Sequence, residues 1–175
     1  MSLKEKINGD LHRYLLTLGE VDERMPECQD IEDKWKEIAE AYLPDGVREF
    51  AAYPTVSLGW MMFVGMAMAQ FWDLDWETYS KVDNLYVGMR DKRGFDNMDE
   101  YIVEEVLKLD KIQQDATSNL VAECASRTLS LLRSESIEPG TEDAFRAYVV
   151  CLRQMYLFGA AVQLKRLGYH MTLIG

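Results

Sequence analysis

The sequence predicts an all-α protein, a single-domain bundle of six or seven helices spanning residues 1–175. Two of them, at about residues 54–72 and 141–167, are highly apolar and central. Three observations lead there. Apolar residues recur at intervals of three and four along most of the chain, and stretches alternating apolar with polar residues are few. Residues 56–72, 147–152 and 155–162 are apolar nearly all round, as helices at the middle of a bundle are. The composition is that of a globular protein, 48% apolar and 28% charged, and 175 residues suffice to bury a core without disulfides or metal.

Each element has its own signal. Leu3, Ile7, Leu11, Tyr14, Leu15 and Leu18 place a first helix over about 3–18, with Gly19 as its stop. Residues 20–29 read as an acidic loop interrupted by Pro26. Asp30 is positioned to cap a second helix, whose stripe is Ile31, Trp35, Ile38, Ala39 and Tyr42 and whose end is Pro44. One or two turns then lead to Pro54, whose fixed φ suits the first position of the apolar helix ending at Trp72. Asp73 or Asp75 caps the next helix, which runs to about Met89, and residues 90–96 with Gly94 form a charged turn. Asn97 followed by Glu100 has the spacing of a capping box, ahead of Met98, Ile102, Val106 and Leu109 at helical intervals. A helix over about 115–133 turns Leu120, Cys124 and Leu131 inward, and residues 134–140 are the clearest loop. Thr141 begins the longest helix, which stops at Gly168. Gly159, Ala160 and Ala161 permit another backbone to approach closely, and Gly59 and Gly65 on the earlier apolar helix do the same.

Charge and cysteine usage narrow the function classes. Thirty acidic against 19 basic side chains give a net charge of −11, which argues against nucleic acid as a partner. Cys28, Cys124 and Cys151 are odd in number and far apart, so they read as free thiols in a reducing cytoplasm. The first residues alternate charge with apolar side chains and lack the core of a secretory signal. Residues 51–72 are uncharged and near the length of a membrane span. Pro54, Thr55, Ser57, Gly59, Gly65 and Gln70 dilute them, however, and no basic cluster flanks them, so a central helix is the better reading.

Catalytic, metal and cofactor signatures are not met. His12 and His170 are the two histidines, neither has a Glu three residues before it, and they make no zinc spacing. His12 is expected in solvent and His170 beside a helix C-terminus. Arg166 and His170 sit one residue too close for the Arg…His pair of helical ribonucleases. Glu37 and Glu40 have magnesium-binding spacing but fall opposite the apolar stripe, and Glu100, Glu104 and Glu105 read as a solvated face. The acidic run from Asp91 puts Arg93 and Phe95 where a calcium loop needs oxygen ligands. Phosphate loops, dinucleotide fingerprints and nucleophile elbows are likewise missing.

Two features are less ordinary. Arg153 falls in the apolar centre of the last helix with Arg146 seven residues earlier, so it is either paired with a buried acid such as Glu123 or Glu104, or aimed at an anionic ligand. Trp60, Trp72, Trp76 and Tyr79 belong to a dense run of large soft side chains that serves as core, as an interface or as the wall of a pocket. The leading expectation is a noncatalytic acidic domain working by protein association, as a homodimer or with a basic partner drawn to residues 20–49, where 11 acids face 4 bases. The alternative is a small-molecule binder or enzyme, with that aromatic group as its pocket and Arg153 and Arg146 holding an anion.

Overall fold

The structure, a computed structural model, describes residues 1–168. Eight α-helices follow one another: α1 (Leu3–Thr17), α2 (Gln29–Asp33), α3 (Trp35–Ala52), α4 (Pro54–Tyr79), α5 (Leu85–Arg93), α6 (Met98–Tyr101), α7 (Lys111–Arg133) and α8 (Glu142–Arg166). No strand occurs among the described residues, so the all-α expectation holds, with one or two more helices than the periodicity suggested.

The two apolar stretches form the central pair. Thirteen residues of α4 and fourteen of α8 are buried, and Met61, Met62, Met66, Met68, Met155 and Phe158 lie in one continuous core. Each such side chain contributes roughly 1.5–3 kcal/mol by leaving water. The helices run parallel: Ser57 meets Tyr148 near their starts and Gln70 meets Gln163 thirteen and fifteen residues further on. Where they cross, no side chain separates them. A Cβ on Gly65 would strike the Tyr156 carbonyl, and one on Gly159 would strike the Met62 carbonyl. The close approach anticipated for these glycines is therefore a reciprocal backbone contact. Gly59 does a milder version of the same job toward α7, where a Cβ would lie 3.1 Å from Val121.

Around this pair the other helices take their directions from polar contacts. α7 is antiparallel to α8, as Thr128 meets Met155 and Thr117 meets Arg166. α1 is antiparallel to α7, with Lys6 paired to Glu135 and Asp10 to Arg127. It follows that α1 runs parallel to α8, and Glu20–Arg166 and Asp22–Lys165 join their C-terminal ends. Of the helices, α8 is long and apolar enough to cross a membrane, yet 78% of its most apolar stretch is buried within the protein.

Several local expectations are corrected. Pro44 does not end its helix; α3 carries on to Ala52 although a mid-helix proline costs about 3 kcal/mol. Tertiary bonds on either side hold it: the Tyr42 hydroxyl donates to the Ser57 carbonyl at 2.5 Å and Ser57 Oγ donates to the Gly46 carbonyl at 2.8 Å. Because Ser57 has given its hydrogen to Gly46, the Tyr148 hydroxyl donates to Ser57 Oγ. Asp30 does not cap α2, since its carboxylate accepts from Trp72 Nε1 at 2.9 Å. Asp75 is extended and accepts from the Thr78 amide and hydroxyl, so it caps only a last turn ending at Tyr79. Asn84 (φ 54°) starts α5 separately, through its side-chain oxygen and the Val87 amide. Asn97 makes no side-chain cap, its amide donating instead to the Arg93 carbonyl. The helix it was to open is α6 followed by a π-helical turn over Ile102–Val106. By contrast, α7 is capped by Asp110, and Thr141 caps α8 as expected.

The crossing gives the first testable outcome. Gly159→Ala or Gly65→Ala inserts a methyl group between two backbones and should destabilise by about 1–3 kcal/mol or more. Gly88→Ala on exposed helix, where nothing lies within 4 Å, should not. Denaturant midpoints at unchanged slope measure this; a silent Gly159→Ala would remove the close crossing.

Candidate functional site

A cleft of about 530 Å³ opens between α1, α2, residues 25–28 and α8, within the range of small-molecule sites. Its position follows from the pattern of α1. Leu3, Ile7, Leu11 and Leu15 are buried, so the line one residue further round, Lys4, Asn8 and His12, runs along the edge of the seam facing α8. From α8 come Arg153, Gln154, Leu157, Phe158, Ala161 and Leu164. Met25, Pro26, Glu27 and Cys28 close one side, and Ile31 and Glu32 of α2 another. One end is therefore polar, with Lys4, Arg153 and Glu32, while Leu157, Ala161 and Leu164 lay an apolar strip along α8 toward the end where His12 stands.

The walls are firmly held. Val21 is buried; Glu20 pairs with Arg166 at 2.9 Å and Asp22 with Lys165 at 2.8 Å. His12 Nε2 donates to the Asp22 carbonyl at 2.9 Å; a carbonyl only accepts, so this nitrogen carries the hydrogen. α2 is fixed from two directions, by the Tyr156 hydroxyl donating to the Ile31 carbonyl at 2.6 Å and by Trp72 on Asp30.

What distinguishes the cleft is polar capacity left unused. Gln154 is 2% exposed, and its carboxamide makes no hydrogen bond among the described residues. The carboxamide atoms are the part of this side chain that reaches the cleft, open to a ligand there; the fully enclosed side-chain atom without a partner among the described residues is Gln163 Oε1. Arg153 stands 3.7 Å from Glu32, beyond hydrogen-bonding distance, with side chains 35% and 30% exposed. The guanidinium carries five donors and borders the cleft with only that loose contact. Gly9 sits mid-helix on the same wall, where a Cβ would meet nothing nearer than 4.0 Å. Glycine there weakens the helix by roughly 0.5–1 kcal/mol relative to alanine, and in return it leaves the cleft open.

The residues singled out from sequence scatter across the molecule. Arg153 reaches the cleft, but it is half-buried and its acid is Glu32; Glu123 pairs with Arg127 and Glu104 with Arg93. Arg146 does not share its site: it is exposed and pairs with Glu142 and Asp143 in the first turn of α8. Trp60 donates to the Phe95 carbonyl, Trp72 to Asp30, Trp76 lies under Lys34, and Tyr79 packs on Phe71. None of the four borders the cleft. Trp60, Trp72 and Trp76 tie α4 to other segments, while Tyr79 packs against Phe71 of α4 itself. His12 is half-buried at the cleft, against the expectation of solvent. His170 lies outside the described residues, and Arg166 is engaged by Glu20 and Thr117. No group of three or more His, Cys, Asp or Glu able to hold a metal exists among the described residues.

Gln154, Asn8, Gly9 and Glu32 were not singled out beforehand. A signal for part of the set exists: polar residues at 4, 8 and 12 share one line beside the apolar stripe, and Gln154 interrupts an otherwise apolar stretch. Nothing in the spacing brings Glu32 to Arg153, because that depends on how α2 is held. No family model, curated protein or solved structure matches the chain.

Two outcomes follow. Arg153→Ala should lower stability by less than about 1 kcal/mol, because the pair is loose and part-exposed, rather than by the roughly 3–5 kcal/mol of a broken buried pair. Burial pushes the Cys124 and Cys151 thiols up to about 12 and raises Cys28 as well. All three are thus protonated at neutral pH, and half-buried Cys28 should be alkylated first, faster as pH rises toward its raised pKa. Peptide mass mapping after iodoacetamide treatment reads the order, and early labelling of Cys124 or Cys151 would contradict the packing.

Proposed function

We propose that the protein binds a small organic molecule in the cleft between α1, α2 and α8. The observation that carries this is the Gln154 carboxamide, whose polar atoms open to the cleft from an otherwise buried side chain and bond to no other described residue. Stability alone gives no reason for a polar side chain there, where most of the neighbouring buried residues of α8 are apolar. The adjacent Arg153, also without a hydrogen bond, and the apolar floor of Leu157 and Phe158 support a ligand with both a polar and an apolar part. No nucleophile and base are paired at the cleft, so binding rather than covalent chemistry is the reading put forward.

A second reading keeps a place on electrostatic grounds. The apolar surplus that suggested an interface is packed inside α4 and α8. Glu23, Glu27, Asp33 and Glu40 are exposed, however, which favours a basic protein partner over a second copy of this acidic chain. Dissociation of such a complex with rising salt would support it.

Native mass spectrometry tests the cleft. The protein, incubated with the low-molecular-weight fraction of a cell extract, should retain a discrete added mass. Gly9→Leu places a side chain in the cleft on a helix it does not disrupt, and should lose that mass while melting at or above the parent temperature. Bare chain in both cases, or an adduct indifferent to Gly9→Leu, overturns the proposal.

A further inference from the structure

Resting on that reading, we infer that the ligand is a zwitterion with one bulky apolar arm, the chemical class of a free apolar α-amino acid. The charges at the cleft come in both signs: Lys4 and Arg153 against Glu27 and Glu32, two of each. A ligand of one sign would leave an imbalance inside a partly desolvated space. A ligand carrying both would not.

The arrangement of the unused groups matches this in detail. Arg153 and Glu32 present opposite charges 3.7 Å apart, too far to hydrogen-bond each other and both open to the cleft. A carboxylate and an ammonium borne on one carbon have the same alternation: the carboxylate takes the planar fork of Arg153, and the ammonium donates to Glu32. Gln154, next to Arg153 on α8, supplies an N–H for the first and a carbonyl oxygen for the second. An amide keeps donor and acceptor on separate atoms, so it serves both halves of a zwitterion at once. Beyond this head-group end, Leu157 and Leu164 with Ala161 line roughly 10 Å of helix in the direction the apolar arm must take. The small side chains of Gly9 and Ala161 on facing helices leave the room for it.

The experiment uses four compounds with one apolar arm: L-phenylalanine, 3-phenylpropionate, 2-phenylethylamine and N-acetylphenylalanine amide. They carry both charges, the negative one, the positive one and neither. Titration calorimetry on the full chain should show phenylalanine binding about ten- to a hundredfold more tightly than each of the others, the usual worth of one charged hydrogen-bonded group. Glu32→Gln should weaken phenylalanine about tenfold without weakening 3-phenylpropionate. Circular dichroism of that variant serves as the check on folding. If 3-phenylpropionate equals phenylalanine and both are lost in Gly9→Leu, the zwitterion is wrong and the cleft still binds. If none of the four binds, the zwitterion falls, and the mass retained from extract decides separately whether the cleft does. Phenylalanine bound equally by the parent and by Gly9→Leu removes both.

Discussion

Two glycines set the distance between α4 and α8, and the other helices are arranged around the consequence. With Gly65 facing the Tyr156 carbonyl and Gly159 facing the Met62 carbonyl, the backbones touch. Helices that close leave no layer of side chains between them, so their large residues are displaced sideways. Tyr156 is thereby directed to Ile31 of α2 and Trp35 of α3, and Phe158 to the seam with α1. The preference for side-chain packing at native density does the rest. A pair of ordinary helices, held apart by leucines, would present quite different flanks.

The cleft belongs to one of those flanks. α1 packs on α8 through a regular apolar stripe and borders it with polar residues, which is how a surface helix normally ends its contact. The departure lies on α8, where Arg153 and Gln154 occupy positions that a purely structural seam would give to apolar side chains. Local rules are broken there twice in succession, and on the opposite wall Gly9 breaks helix propensity without any close packing that requires it. Natural sequences concentrate such conflicts at functional places. The supports are stiff: Tyr156 and Trp72 hold α2, and two ion pairs with the His12 bond hold the segment after α1.

How much of this was legible in the sequence depends on the range of the interaction. Helix periodicity, the stop at Gly19 (φ 74°), the Thr141 cap and the small-residue crossing are local or nearly so, and they were read correctly. Pro44 was misread because the Tyr42–Ser57 and Ser57–Gly46 bonds that carry the helix through it come from α4. Asp30 and Asn97 were assigned as caps by residue type, and other partners claimed their side chains. Of the predicted site, Arg153 alone reaches the cleft. The aromatic run drew attention by its density, and density of large side chains is equally the mark of a core. Glu32 and Gln154 were missed for different reasons: one is brought in by tertiary contacts, and the other shows in the sequence only as a polar break in an apolar stretch, which does not say what it faces.

The parallel course of α4 and α8 has a further consequence for how the chain must be made. Parallel helices cannot be neighbours in a hairpin, and Ser57 meets Tyr148 across 91 positions of sequence. During synthesis α4 therefore leaves the ribosome with thirteen residues destined for the interior and no mate for its glycine face until the last helix follows. α3 and α7 can shelter its flanks meanwhile, but the seam itself stays wet. Loop closure of that span precedes the central contact, so folding is governed by a late, non-local step. Until then the nascent chain keeps an apolar helix face uncovered, the kind of transient surface on which aggregation starts.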